Sequence, residues 1–94
     1  MFILSLTYTA DLSEVDQHIE PHMDWVKDGY DRGIFLASGR KNPRTGGVIF
    51  AHGTRAEIEM IVAADPFTIN GVADYEITEV AVSRTVPGLE GLTQ

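Results

Sequence analysis

The sequence predicts an α+β domain, in which a four-stranded antiparallel sheet carries two helical stretches on one face in the order βαββαβ. Three observations carry this prediction. Apolar residues alternate in the first run and gather in short β-rich runs after Gly33, Gly47 and Gly71; they recur at helical spacing in two other stretches; and glycine or proline separates each pattern from the next.

Residues 2–9 place Phe2, Leu4, Leu6 and Tyr8 on one face and Ile3, Ser5 and Thr7 on the other, which is a strand with one strongly apolar side. Asp11 followed by Glu14 resembles an N-cap with a reciprocal acidic partner. Val15, Ile19, Met23, Val26 and Tyr30 then recur at helical spacing, so a first helix is expected over 12–31. Pro21 cannot donate to the carbonyl four residues earlier and predicts a kink or a fresh helix start. A start there leaves free N–H groups and a partial positive charge beside His22, a position that favours an anion.

Gly33 suits a left-handed cap, and 34–38 reads as the second strand. Residues 39–47 form a Gly- and Pro-containing loop long enough for a flap, and 48–52 is the third strand. Thr54 to Glu57 is a capping box that opens a short helix with Ile58, Ile61 and Val62 on one side. Pro66 ends that helix, 67–71 is a turn, and 73–82 is the last strand. This is the ferredoxin-like arrangement. The sheet face away from the helices carries Ile3 among small and polar groups, and two such faces packed together would enclose a mixed cavity.

Ninety-four residues make one domain, expected over 1–82, with a tail at 83–94 that is loosely held or used at an interface. A chain this small with no cysteine gains most from self-association, so a homodimer is expected. The formal charge of −7 opposes nucleic-acid binding, which needs clustered Lys and Arg. Arg40, Lys41 and Arg44 nonetheless fall in one loop and permit a positive concavity for a small anion. Absence of cysteine excludes disulfides, thiolate nucleophiles and Cys-based metal sites. The first residues lack a basic leader region and no apolar run reaches membrane-spanning length, so a cytoplasmic protein away from membranes is expected.

Two residues exceed what folding requires: His22 in Glu20-Pro-His-Met-Asp-Trp25, and Asp65 in Ala64-Asp-Pro-Phe67. An imidazole held by a carboxylate can move a proton near neutral pH. If Asp65 accepts the hydrogen on one ring nitrogen, it fixes the tautomer and leaves the other nitrogen facing a substrate. The plainer alternatives are a core-edge histidine and an aspartate that caps local backbone before proline. His18 and His22 lie four apart, but Pro21 disturbs their pairing and the glutamate of a metalloprotease helix is missing, so no metal is expected. His52 reads as a turn or edge residue. Arg44 or Lys41 on a mobile loop could pair a carboxylate or phenolate. Trp25 and Phe67 are either core aromatics or the walls of a pocket for a flat ligand. Ser38 lacks the surroundings of a nucleophile elbow and reads as a hydrogen-bonding group.

The runs Glu20 to Trp25, Gly33-Ile-Phe-Leu-Ala-Ser-Gly39, Pro43-Arg-Thr-Gly-Gly47 and Asp65-Pro-Phe67 followed by Gly71, taken in this order, resemble the YciI-like (YCII-related) family over residues 1–82. The resemblance implies a dimeric α+β barrel of two facing sheets, with His22 and Asp65 lining a cleft and Ser38, Gly39, Pro66 and Phe67 around them. Two departures are visible. Ile19 and Glu20 stand where many relatives carry an arginine ahead of the Pro-His pair, and Arg40 follows Gly39 where they carry proline, so Arg40 replaces or redirects the anion contact of the family.

One branch of the family resembles enzymes that remove chloride and a proton from chlorinated aromatic hydroxyquinones, and the fold is shared with muconolactone isomerases. The resulting expectation is a cofactor-independent enzyme in which His22 and Asp65 transfer a proton in an isomerisation or elimination on a small, aromatic or enolisable metabolite. Ser38, Gly39, Arg40, Arg44, Trp25, Pro66 and Phe67 would contact that molecule. A non-catalytic dimeric small-molecule binding protein stands beside this reading, and a purely structural subunit behind both.

Overall fold

The computed structural model describes residues 1–93. Along the chain run β1 (Phe2–Tyr8), α1 (Leu12–Asp16), α2 (Ile19–Asp31), β2 (Phe35–Arg40), β3 (Gly46–Ala51), α3 (Arg55–Ala63), α4 (Pro66–Ile69), β4 (Ala73–Glu79) and a 3₁₀ turn (Glu90–Thr93). The sheet order is β2-β3-β1-β4 with every neighbouring pair antiparallel, so the expected ferredoxin-like α+β fold is the observed one.

Alternation in β1 sets the register, because a slip of one residue would turn its whole apolar face to solvent. Phe2, Leu4 and Leu6 are buried, and two rows cross the sheet on that inner face: Ser38, Ile49, Leu4 and Ile77, then Arg40, Gly47, Leu6 and Tyr75. Helical residues close over the rows. Val26, Ile58, Ile61 and Val62 join Leu4, Phe35 and Ile49 in one cluster, while Val15 and Phe67 join Leu6, Val72 and Ala73 in a second.

The single first helix expected over 12–31 is two helices. The chain breaks at Gln17 and His18, and α2 begins afresh at Ile19. Pro21 then falls in the first turn of α2, where its missing N–H has no intrahelical carbonyl to meet. Restarting the helix also rotates its buried stripe: His22, Val26 and Gly29 point inward, while Met23 and Tyr30, expected in the core, are exposed. Gly29 permits this approach, since a Cβ there would stand 2.2 Å from the Phe35 ring. Asp11 precedes α1 as expected but its side chain makes no capping hydrogen bond.

The flap expected over 39–47 is absent, because Gly39 pairs with Val48 and Arg40 with Gly47 in the β2–β3 ladder. Only residues 41–45 connect the strands, and the Lys41 amide closes the hairpin on the Gly46 carbonyl at 3.0 Å. Thr54 and Glu57 form the reciprocal capping box at α3. Pro66 does more than end that helix: it is the first residue of α4, in place of the expected turn. Strand β4 stops at Glu79, three residues short of expectation, although the Val80 amide still reaches the Met1 carbonyl at 2.8 Å. Most of the following residues are exposed; Gln94, the end of the expected tail, lies outside the described residues. Among the described residues no helix is long and apolar enough to cross a membrane.

Candidate functional site

α2 and α4 together build the site. Restarting α2 at Ile19 puts His22 on its inner face, and the Asp-Pro-Phe run of α4 places two side chains against it. Asp65 is the N-cap of α4, and its Oδ1 accepts from the Phe67 amide at 3.0 Å and from His22 Nδ1 at 2.8 Å. Its Oδ2 accepts from the Tyr75 hydroxyl at 2.5 Å. The carboxyl group is wholly buried and both its oxygens are occupied, so it can neither rotate nor exchange with water.

The imidazole is held as tightly by its faces as by its edge. Phe67 stacks on it at 3.9 Å between centroids with the planes 6° apart, and Trp25 lies at 5.6 Å and 29°. Trp25 is itself fixed by its indole N–H, which donates to the Ile61 carbonyl at 3.0 Å. A carboxylate can only accept, so Nδ1 donates to it, and in the neutral form of the ring Nε2 is the acceptor. Among the described residues Nε2 has no hydrogen-bond partner, yet only Arg44 Nε is both sealed from solvent and unpaired there. His22 Nε2 therefore reaches open space.

That space is a cleft of about 310 Å³ between α2 and the inner face of the sheet, lined on one side by Ile19, His22, Met23 and Val26 and on the other by β1, β2 and β3. It does not lie on the outer sheet face, where packing of two sheets was expected to enclose a cavity. Gly47 stands between Arg40 and Leu6 in the inner row and contributes no side chain, which opens the floor.

Of the residues selected from sequence, His22, Ser38, Gly39 and Arg40 line the cleft. Asp65 and Phe67 sit behind His22 without reaching it, and Pro66 serves as the first residue of α4. Trp25 backs the imidazole and borders a different depression with Gly29, Arg32 and Met60. Arg44 is elsewhere engaged: its guanidinium meets Asp16 at 2.6 Å and lies over the Tyr8 ring at 5.7 Å. The Arg44 hydrogen bond holds the Asp16 carboxyl below its ordinary range. Ser38 Oγ bonds the Tyr30 hydroxyl at 2.7 Å, and His52 Nε2 bonds the Gly33 carbonyl at 2.6 Å, a turn contact. His18 occupies the position before α2 without a capping hydrogen bond from its side chain, and among the described residues no group of three or more potential metal ligands gathers.

Tyr75 was not selected from sequence. A tyrosine on the apolar face of a strand reads as core, but a buried phenol needs a partner for its hydroxyl, and that requirement points to a buried acceptor. Burial, with the Asp65 charge adding to it, pushes the Tyr75 phenol far above its ordinary range. The folded state therefore keeps a proton that the unfolded chain releases near pH 10. This contribution to stability is complete below about pH 10 and is lost as the pH rises further. The melting temperature of the wild type should fall more steeply above about pH 10 than that of Tyr75→Phe, and parallel curves would count against a raised Tyr75.

No curated protein matches the chain. Among solved structures, the 5-chloro-2-hydroxyhydroquinone dehydrochlorinase of Burkholderia phenoliruptrix AC1100, in complex with 2,5-dihydroxybenzoquinone, superposes with a TM-score of 0.70 at 15% identity. The match covers 85% of this chain and 93% of that one, and at this identity it establishes a common fold. The sequence carries the closer relationship: the model of the YCII-related domain matches residues 1–81, the whole βαββαβ unit, and the chain belongs to the YCII-related family.

Proposed function

We propose that this chain is a cofactor-independent enzyme that moves a proton on a small, aromatic or enolisable metabolite, with His22 as general acid/base and Asp65 as its orienter. The observation that carries the reading is the imidazole itself: Nδ1 is fixed by a sealed carboxylate while Nε2 opens on a cleft. Such a ring removes a proton from a carbon next to a carbonyl. The C–H bond breaks, an N–H bond forms at Nε2, and the electron pair moves into the carbonyl as an enolate. Return of that proton to another carbon completes an isomerisation; in an elimination the enolate pair forms a new carbon–carbon double bond as the leaving group departs with the pair of its own bond. Ser38, Gly39 and Arg40 contact the substrate in this reading, and the dehydrochlorinase of similar fold is in complex with a ring compound, 2,5-dihydroxybenzoquinone.

The test is proton exchange. Hydroxylated aromatics and β-keto acids incubated with the protein in deuterated water should incorporate deuterium, and His22→Asn or Asp65→Asn should slow this by about 10²–10⁴-fold. Unchanged exchange in both variants would sink the proposal. Tight binding with the ligand recovered undeuterated would favour a non-catalytic binding protein instead.

Self-association through the outer sheet face is part of the same reading. Ile3, Val48 and Phe50 are half-buried there, Ile3 paired with Phe50 and Val48 with Ser5. A second copy would cover them.

A further inference from the structure

We propose that the cleft beside His22 is built for an anion: a single-ring carboxylate, phenolate or enolate whose charge rests at Arg40 while its reacting atom faces Nε2. The inference rests on the cleft being the substrate site, and it adds the charge of what enters. Its first support is a contrast between the cleft and the rest of the chain. The protein has 14 Asp and Glu residues against 7 Lys and Arg, yet no Asp or Glu lines the cleft. The ionisable lining groups are Tyr8, His22 and Arg40. In an acidic molecule, a concavity cleared of carboxylates and furnished with a guanidinium favours negative charge.

The sheet register is the second support. Arg40 pairs with Gly47, and Gly47 with Leu6, so Arg40 belongs to the inner row that ends at Tyr75. Tyr75 holds Asp65, which holds His22. One row of four strands thus carries the cation at one end and the support of the imidazole at the other, roughly 14 Å apart at three strand spacings. Gly47 and Leu6, which stand between the two ends, both line the cleft. Its volume of about 310 Å³ lies at the small end of ligand pockets and suits a single substituted ring.

Arg40 is also free to act. Asp16, whose carboxylate feels the Arg40 charge, is bonded to Arg44 at 2.6 Å. Lys41 is turned to the Thr7 hydroxyl at 3.1 Å. Arg40 has no ion pair of its own among the described residues. The first turn of α2 adds to the effect: Ile19 and His22 both line the cleft, no side chain caps that helix, and the open Nε2 belongs to a residue about nine-tenths buried. The positive end of the helix dipole thus lies beside the same space.

Benzoate and benzamide share a shape and differ in charge, which makes them suitable probes. Titrated into ¹⁵N-labelled protein, benzoate should move the amides of Gly39, Gly46 and Gly47 and bind about tenfold more tightly than benzamide, equivalent to about 1.4 kcal/mol. Arg40→Gln should remove the preference and Arg40→Glu should reverse it. Equal binding of the two probes, no benzoate response at these glycines, or a preference that survives Arg40→Gln would overturn the proposal. His22→Asn separates this inference from the catalytic reading. That variant should stop proton exchange and keep the benzoate preference, whereas exchange that persists would remove the catalytic role and leave the anion site standing.

Discussion

Asp65→Ala should destabilise the protein by about 3 kcal/mol, the upper end of what a buried donor left without its acceptor costs, and on the proposed function it should also stop proton transfer. Three donors converge on this carboxylate: His22 Nδ1, the Phe67 amide and the Tyr75 hydroxyl. The Phe67 amide and the His22 ring have little solvent to turn to, because Asp65 and Phe67 are fully buried and His22 nearly so, while Tyr75 is half-buried. Loss of the N-cap loosens α4, and α4 is what seats Phe67 under the imidazole. Asp65→Asn keeps the volume and one acceptor oxygen but turns an NH₂ group towards a donor. It should fold with a smaller loss and still fail to orient His22. Urea midpoints for the two variants measure the difference; an Ala variant as stable as wild type would mean that the three bonds contribute nothing net.

Gly46→Ala should cost about 3 kcal/mol, at the upper end of what overpacking exacts. A Cβ at Gly46 would stand 1.8 Å from the Leu6 carbonyl oxygen and 2.7 Å from its carbon, and both are backbone atoms that cannot swing aside. β3 would have to separate from β1 at the end where Gly46 pairs with Thr7 and where the Tyr8 amide reaches the Thr45 carbonyl at 2.9 Å. The same separation distorts the cleft floor, so ligand affinity should fall together with stability. Gly39→Ala is the control: nothing lies within 4 Å of its added Cβ, and its denaturation curve should overlay the wild type. A Gly46→Ala protein as stable as Gly39→Ala would show that the strands are less closely joined than this register requires.

The sheet was legible because strand signals are local. Alternation in residues 2–9 and the capping box at Thr54 and Glu57 each rest on period or chemistry within a few residues. The break at Gln17 and His18 was not legible, since Pro21 drew attention to itself and the apolar spacing from Val15 to Tyr30 is consistent with an uninterrupted helix. Only tertiary packing decides which of two overlapping stripes is buried, and it chose His22 over Met23. At Pro66 the local signal is double, since Asp followed by Pro and then an aromatic is a helix start as much as a stop.

At the site, His22 and Asp65 were legible as a pair because each sits in an unusual run. Their third partner, Tyr75, was not, since a tyrosine on an inward strand position carries no local mark of a polar task. Arg44 was misplaced for a related reason. Sequence groups it with Arg40 and Lys41, but the hairpin turns it towards Asp16 and Tyr8, whereas the ladder holds Arg40 on the inner face.

The chain contains one tryptophan, and it is stacked 5.6 Å from the His22 ring. A charged imidazole quenches a neighbouring indole far more than a neutral one does. Trp25 emission is therefore a built-in optical gauge of the charge on the imidazole, read without label, substrate or assay.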